Sequence, residues 1–461
     1  MNPTITLELV DGVRVIVPDS LDLITSYVLR EQEDWFEDEI KFLRHLLQPG
    51  QKIIDIGANY GVYTLSMAKC VGVAGRVWAF EPASSTAALL SDSIALNKYD
   101  QVVLEKSALS NVIGTAQLAL NANSELNALV HSDQAPGESE SVPLVTLDSC
   151  METHGWVGID FMKIDAEGEE ANILRGGAHF FAAESPLIEY EIKAGNEVHL
   201  ELVRDFSEIG YDAYRLVPGL NLLVPFDASS PIDCYLLNLF GCKPDRARQL
   251  AAKGFLLEKT ENGGAEILPA GQYGWRENLS RLPYGKVLVE HWQKTAANGR
   301  SDEVEKGLSL YAQSQDTALT VAERFAGLEA SFILFKALCE KQPDFLRLSS
   351  LARVARDYGE RQVAVKALAQ LCNTIFQTRQ INPSEPFLAP GKRFDTVPPG
   401  ASIADWVAAA ALEELERNQS FSSFYTPQLS LERLQIIRDL GFGSAEMKRR
   451  LSLLQKRFHI S

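Results

Sequence analysis

The chain has little that would take it into a membrane or an oxidising compartment. Its 461 residues include six cysteines (Cys70, Cys150, Cys234, Cys242, Cys339 and Cys372), widely scattered and without a C-x-x-C pair. That spacing argues against zinc ligation and against a disulfide framework, and reads as reduced, mostly buried thiols. No run reaches the roughly eighteen apolar residues that a membrane span needs. The opening residues, MNPTITLELVDGVRVIV, lack the basic-then-apolar order of a signal peptide, so a cytoplasmic location is expected. Positive charge is in short supply: 44 Lys and Arg face 61 Asp and Glu, a formal net charge of −17. So acidic a chain has no general attraction for phosphate backbones, and no nucleic-acid partner is expected. The seven histidines are dispersed with no H-x-x-x-H pair, so His179 reads as structural and no histidine metal site is expected.

What is present is more specific. The stretch Ile53-Ile54-Asp55-Ile56-Gly57-Ala58-Asn59-Tyr60-Gly61 reads as a buried parallel strand running into a glycine turn. Val62 to Lys69 has helical character, and a second strand ends at Phe80-Glu81-Pro82. Gly57 and Gly61 allow a tight turn and close approach to a ligand because neither carries a Cβ. Glu81, at the carboxyl end of its strand, is placed to accept hydrogen bonds from both hydroxyls of a ribose. Dinucleotide domains use G-x-G-x-x-G to rest a pyrophosphate on the helix N-terminus. Here the spacing is D-x-G-x-N-x-G. An acid beside the turn repels a pyrophosphate but suits the ammonium of a methionine tail. The turn therefore favours S-adenosylmethionine (SAM) over NAD.

Alternation around Asp11-Gly12 predicts a β-hairpin over residues 4–17. Apolar spacing predicts a helix over 31–47. Further strands are expected at 102–106, 159–165 and 186–192, with helices at 85–97 and 197–209, a short helix stopping at Gly176-Gly177, and a β-rich end at 211–226. A two-strand stretch is expected around 115–120, and the polar segment 121–141 reads as a mobile loop or lid. Such alternation gives an α/β domain with a doubly wound, mostly parallel sheet over about 1–245. A connecting region is expected at 246–300. From about Asp302 strand patterns give way to amphipathic helices. Leu348, Leu351, Ala352, Gly359, Ala364 and Leu368 fit a tetratricopeptide-like unit of about 34 residues. One period earlier stand Ala318, Ala330, Leu334 and Ala337, with Pro343 near the unit's end. The repeat-like region spans 301–380, with an unrelated helical bundle as the alternative reading. Residues 380–400, with five prolines, read as a linker. The rest of 381–461 is expected to be helical, over 403–417 and 429–458.

Methyl transfer from a sulfonium is an in-line displacement, so a protein mostly has to position the acceptor. An alcohol acceptor must also lose its proton. Asp165 and Glu167 lie just past the end of a central strand, and Glu189 and Glu191 project from one face of the next. A carboxylate in a central strand is costly unless it is paired or lines a site. Asp165, Glu167 and Glu189 are therefore the catalytic candidates, as a general base or as oxygen ligands for Mg²⁺, which stays open. Glu169 and Glu170 read as first-turn acids that stabilise a helix. Lys163 reads as a surface or ion-pairing lysine just as easily as a functional one.

The segments IIDIGANYGVYT, FEP, VPLVTLD and IDFMKIDAEGEEANILRGG, with the following P-LIEYE, resemble the FkbM-type SAM-dependent methyltransferases over roughly residues 31–195. The resemblance implies the Rossmann-like class I methyltransferase fold and O-methylation of hydroxyls of sugars, glycolipids or polyketide-type metabolites. It implies that Asp55, Gly57, Asn59 and Gly61 form the first cofactor motif, that Glu81 binds ribose, and that Ser107 and Ala108 border adenine. It also places Glu37 near the methionine end and carries Lys163, Asp165, Glu167 and Gly168 over as one motif. The expected activity is SAM-dependent O-methylation of a carbohydrate or glycoconjugate, with Asp165 also touching the cofactor. The helices would serve a protein partner or self-association. Competing readings are a helical scaffold with a catalytically silent SAM domain, and a protein methyltransferase.

Overall fold

The computed structural model describes residues 3–130, 137–194, 197–258, 274–296, 302–343, 345–378 and 381–459. The chain divides into two compact units. The first comprises residues 1–216, 223–232 and 236–258, the second 217–222, 233–235 and 259–461.

The first unit is built on eight strands: β1 Lys52–Ile56, β2 Arg76–Phe80, β3 Val102–Glu105, β4 Phe161–Ile164, β5 Leu187–Glu191, β6 Asp212–Val217, β7 Leu222–Pro225 and β8 Asn238–Cys242. They are ordered β7-β6-β8-β5-β4-β1-β2-β3. Strands β5, β4, β1, β2 and β3 run parallel, while β8 is antiparallel to both β5 and β6. This is the doubly wound α/β architecture that the strand–helix alternation predicts. The order reverses between β1 and β4, so the crevice beyond their carboxyl ends is the topological switch point where such sheets bind ligands. Both faces of the central strands are covered. Ile53, Val77, Phe161 and Leu187 pack with the hairpin residues Val15 and Val17 on one side. Ile54, Trp78, Met162 and Ile188 pack with Trp156 and Phe180 on the other.

Several boundaries differ from the sequence expectations. The hairpin forms as Thr4–Glu8 with Arg14–Pro18. The single helix expected over 31–47 is two, Ile24–Gln32 and Asp38–Leu46. Glu33 ends the first in a left-handed conformation (φ 60°), and the next turn is fixed by Asp34, which accepts two 2.8 Å bonds from Arg44. Among the described residues of 121–141, much is ordered. Ser124–Leu126 forms a 3₁₀ turn, and Ser139–Val145 lies beside Gly114–Ala119 in a small second sheet. Residues 131–136 of that segment lie outside the described set. The helix expected over 197–209 is Glu201–Glu208.

The second unit is helical throughout its described elements. Helices Asp302–Ser314, Val321–Lys341, Phe345–Tyr358 and Arg361–Thr378 follow one another. Equivalent starts are 43 and 40 residues apart rather than 34. That misalignment explains the weak earlier repeat. In Val321–Lys341 the buried face is Leu328, Ser331, Phe332, Phe335, Leu338 and Cys339, with Ala330, Leu334 and Ala337 at its flanks.

The proline-containing segment is not a linker. Phe387, Ala389 and Phe394 are fully buried. The Phe387 ring lies 5.4 Å from that of Tyr284 and 5.8 Å from that of Trp292. Prolines remove N–H donors but leave carbonyls that need partners when buried. Here side chains supply them: Trp292 to the Pro383 carbonyl, Tyr284 to Phe387, Ser349 to Leu388 and Arg353 to Ala389. Truncating a buried phenylalanine costs about 3–5 kcal/mol. Phe387→Ala is therefore expected to destabilise the helical unit by that order in urea unfolding. A solvent-exposed linker would show a change within about 0.5 kcal/mol.

Candidate active site

The strand ends at the switch point converge on the glycine turn after β1. The N–H groups of Gly57 and Ala58 both donate to the Phe80 carbonyl, at 3.1 and 2.9 Å, tying the turn to the end of β2. Gly57 has φ +82°, and a Cβ there would lie 1.8 Å from the carbonyl oxygen of Asp165. Gly61 has φ +88°, and a Cβ would lie 2.3 Å from the Leu90 side chain. The close approaches these glycines permit are thus to the chain itself, which brings the ends of β1 and β4 together. Gly61 leads into helix Val62–Val71 without a side-chain cap, and Thr64 in the first turn of that helix is bonded to Asp55.

Glu81 sits beside that turn in a fixed orientation. Its Oε2 accepts the Asn59 N–H and its Oε1 accepts the Ala83 N–H, both at 2.9 Å. Asn59 takes a left-handed conformation, φ 49°, and its Oδ1 accepts a hydrogen bond from Ser124 at 2.9 Å. Each Glu81 oxygen keeps a second lone pair, the acceptor set that two vicinal hydroxyls require. Burial pushes the Glu81 carboxyl up to about 7, against the pull of the two backbone N–H groups. Ala108 packs with Ala83 in a small apolar cluster, and Ser107 is buried beside it in the chain.

The second part of the site is a row of charges across three strands. Lys163 in β4 is in register with Asp55 in β1 and Glu189 in β5. All three are buried. Asp55 Oδ2 accepts the Thr64 hydroxyl at 2.5 Å, fastening the helix to the strand beneath it, while Oδ1 has no partner among the described residues. Both Glu189 oxygens are likewise shielded and without a hydrogen-bond partner among them. Burial raises the Asp55 and Glu189 carboxyls, most strongly Glu189, with Lys163 opposing. Lys163 donates to Asp165 Oδ2 at 2.5 Å and lies 4.8 Å from the centre of the Tyr63 ring. Burial alone would lower its ammonium, but Asp165, Asp55, Glu189 and Glu37 together raise it. Glu37 accepts the Tyr63 hydroxyl at 2.5 Å, and burial raises its carboxyl.

At the open end, Asp165, Glu167 and Glu191 each bring a carboxylate oxygen within 4.8 Å of the others. Burial first, then Asp165 and Glu170, pushes Glu167 up to about 8. Burial, Asp165 and Glu167 push Glu191 up to about 9. Glu167 (φ 47°) and Gly168 (φ 98°) form a left-handed pair, and Glu170 accepts the N–H groups of Ala166 and Gly168. Glu169 is held by Ser110 at 2.8 Å and Asn172 at 2.9 Å. The oxygen donors would suit a hard cation, but the clustering is the sole feature pointing that way and no metal is assigned.

The structure thus brings together Glu37, Asp55, Gly57, Asp165, Glu167 and Glu189, with Asn59, Gly61 and Glu81 around the same turn. Tyr63 and Thr64 are additions. They lie within the YGVYT run, but nothing in the spacing shows that one meets Glu37 and the other Asp55.

The family model described as Methyltransferase FkbM domain matches residues 55–213. About a third of the chain is thus similar to that domain. Its glycine turn, Glu81, the charge row and the acidic cluster are all residues of that matched segment, apart from Glu37. Among curated proteins none matches the chain. Solved structures with a similar fold include a SAM-dependent O-methyltransferase from Thermotoga maritima, 14% identical, covering 56% of this chain and 80% of that one at a TM-score of 0.27. A precorrin-6y C5,15-methyltransferase from Geobacter metallireducens is 12% identical over 45% of this chain and 87% of its own, TM-score 0.26. An rRNA methylase from Streptococcus thermophilus is 10% identical over 44% and 93%, TM-score 0.26. Likeness this distant says nothing of the acceptor.

The raised Glu81 carboxyl has a consequence for stability. The folded protein keeps a proton that the unfolded chain releases near its ordinary value of 4.5, until the pH passes about 7. More protons are then bound in the folded than in the unfolded state, so stability falls as pH rises across that window and levels off above it. The loss is on the order of 2–3 kcal/mol. Glu81→Gln should remove this component of the slope, read from urea unfolding between pH 4.5 and 8.

Proposed function

We propose that the FkbM domain binds SAM at the glycine turn and transfers its methyl group to a hydroxyl of a carbohydrate or glycoconjugate. The observation that carries the cofactor reading is Glu81, held by two backbone N–H groups beside the turn with lone pairs left for a ribose. The acid-flanked turn supports SAM over a dinucleotide, because Asp55 and Asp165 repel a pyrophosphate and tolerate a cation. Bound there, SAM supplies an electrophilic methyl group on a sulfonium. Asp55, Gly57, Asn59 and Gly61 would shape the turn around it, with Ser107 and Ala108 beside adenine and Glu37 toward the methionine end.

Of the three catalytic candidates, Glu167 fits best as the acceptor of the hydroxyl proton. A general base works best when its pKa lies near the working pH, and that carboxyl is raised to about 8. Asp165 is pinned by Lys163. Glu189, 1% exposed, lies beneath the site and would act as a neutral, buried acid. A hydroxylated, uncharged acceptor suits this wall of acids, whereas a phosphodiester would be repelled. The FkbM resemblance supplies the carbohydrate class. The helical unit would serve a protein partner or self-association, and no described helix is long and apolar enough to cross a membrane.

Calorimetric titration with S-adenosylhomocysteine (SAH), with NADH as control, tests the cofactor. Micromolar binding of SAH alone is expected, and Glu81→Ala should weaken it by about 1–3 kcal/mol, the worth of hydrogen bonds to a charged group. Equal binding of both ligands, or of neither, would overturn the reading. A sugar and glycan methylation screen then tests the acceptor; methylation confined to a purified protein fraction would refute the carbohydrate assignment.

A further inference from the structure

SAM and its product SAH differ at one atom in a way an enzyme must sense. The sulfur of SAM carries a positive charge and that of SAH does not.

Lys163 presents a puzzle of partner choice. The buried carboxyl in register beside it, Glu189, has no hydrogen-bond partner among the described residues, yet the lysine donates to Asp165, whose side chain is 38% exposed. Burial drives the Glu189 carboxyl toward its neutral form, which leaves Asp165 as the acid available to the ammonium. The other acids of the row are held elsewhere, Asp55 by Thr64 and Glu37 by Tyr63. Asp165 is also fixed through its backbone. Its N–H donates to the Ile56 carbonyl at 3.1 Å, and its own carbonyl fills the space that a Cβ on Gly57 would need. The result is one carboxylate that is open to a ligand, ionically clamped from below and locked against the cofactor turn.

We propose, on the basis that SAM is the cofactor of this domain, that Asp165 is the specificity determinant that favours the sulfonium of SAM over the neutral thioether of SAH. Lys163 is then the positioning residue that holds Asp165 to this task. A fixed negative charge near the sulfur stabilises the cation and leaves the thioether almost unaffected. Release of product is favoured by the same device, because methyl transfer removes the charge that Asp165 attracts. Lys163 acts through Asp165: without the clamp the carboxylate turns toward water, and screening weakens its hold on the sulfonium.

The ratio of SAM to SAH dissociation constants, measured by calorimetry on the full chain, tests this without an acceptor. Asp165→Asn is expected to weaken SAM on the order of tenfold while SAH changes less than about twofold. Lys163→Met should lower the preference for SAM in the same direction, and should have no further effect on the ratio in the Asp165→Asn background. A purely structural lysine would weaken both ligands alike and leave the ratio unmoved, which would overturn its role. A Lys163→Met effect that persists in the Asp165→Asn background would also overturn it, since the lysine would then act directly through space. Equal loss of both ligands in Asp165→Asn would overturn the proposal for Asp165, and that arm decides even if Lys163→Met does not fold. Failure of the unaltered protein to bind either ligand would instead count against SAM as the cofactor.

Discussion

One buried ammonium opposes the neutralisation of the acids at the centre of the first unit. Lys163 stands in β4 between Asp55 and Glu189 in the neighbouring strands, on a face otherwise packed with Ile53, Val77, Phe161 and Leu187. Two carboxyls in that setting without a cation would both be driven neutral, since an isolated buried charge costs several kcal/mol. With the lysine present, Asp55 can anchor Thr64 in the first turn of the following helix. That anchor fixes the helix on which the glycine turn ends. The turn in turn presents the Asn59 N–H that orients Glu81. The geometry around Glu81 therefore traces back, link by link, to a charge in the middle of a neighbouring strand.

The parts of this arrangement that are legible in the sequence are those in which neighbours in the chain are neighbours in space. The apolar run before Gly57, the D-x-G-x-N-x-G spacing and the acid at the end of the next strand each predict a local backbone path, and the doubly wound sheet emerges from their alternation. Lys163 is ambiguous in the sequence because its role depends on strand register, which brings together residues more than a hundred positions apart. Glu37 meets Tyr63 through the packing of one helix start on another helix, and Asp34 meets Arg44 by folding back onto the helix that follows it. The first of these contacts rests on an acid that the family resemblance locates; the second produces a break that apolar spacing alone does not show.

The segment 380–400 departs from expectation for a different reason. Proline content suggests solvation, on the ground that a chain without N–H donors cannot join a helix or sheet. The carbonyls of such a segment still accept hydrogen bonds, and five of them receive side-chain donors from surrounding helices. The aromatic and apolar residues between the prolines, Phe387, Leu388 and Phe394, are the sequence signal for burial. Spacing misleads likewise in the helical unit. A period of about 34 residues fits one pair, whereas helix lengths differ between pairs and carry the true spacing to 40 or more.

The two units treat buried charge differently, and the difference separates structural from functional acids. In the helical unit Glu413 is held by Arg393 and Arg417 at 2.7 and 2.8 Å, and Glu416 has Arg450 and Arg433 at 3.5 Å. Those acids are surrounded by cations that cannot be deprotonated, the pattern expected where charge serves packing and specificity. In the charge row of the α/β unit the acids outnumber the one buried lysine, Lys163; Asp55 Oδ1 and both Glu189 oxygens lack a hydrogen-bond partner among the described residues, as does Glu416 Oε2 in the helical unit, which has arginines nearby instead. Such under-compensation lowers stability and has no packing benefit that an apolar side chain would not supply better. It lies directly beneath the cofactor turn, in the segment matched to the methyltransferase family. Burial raises both carboxyls while Lys163 opposes it, so these strand ends keep acids that packing alone does not require.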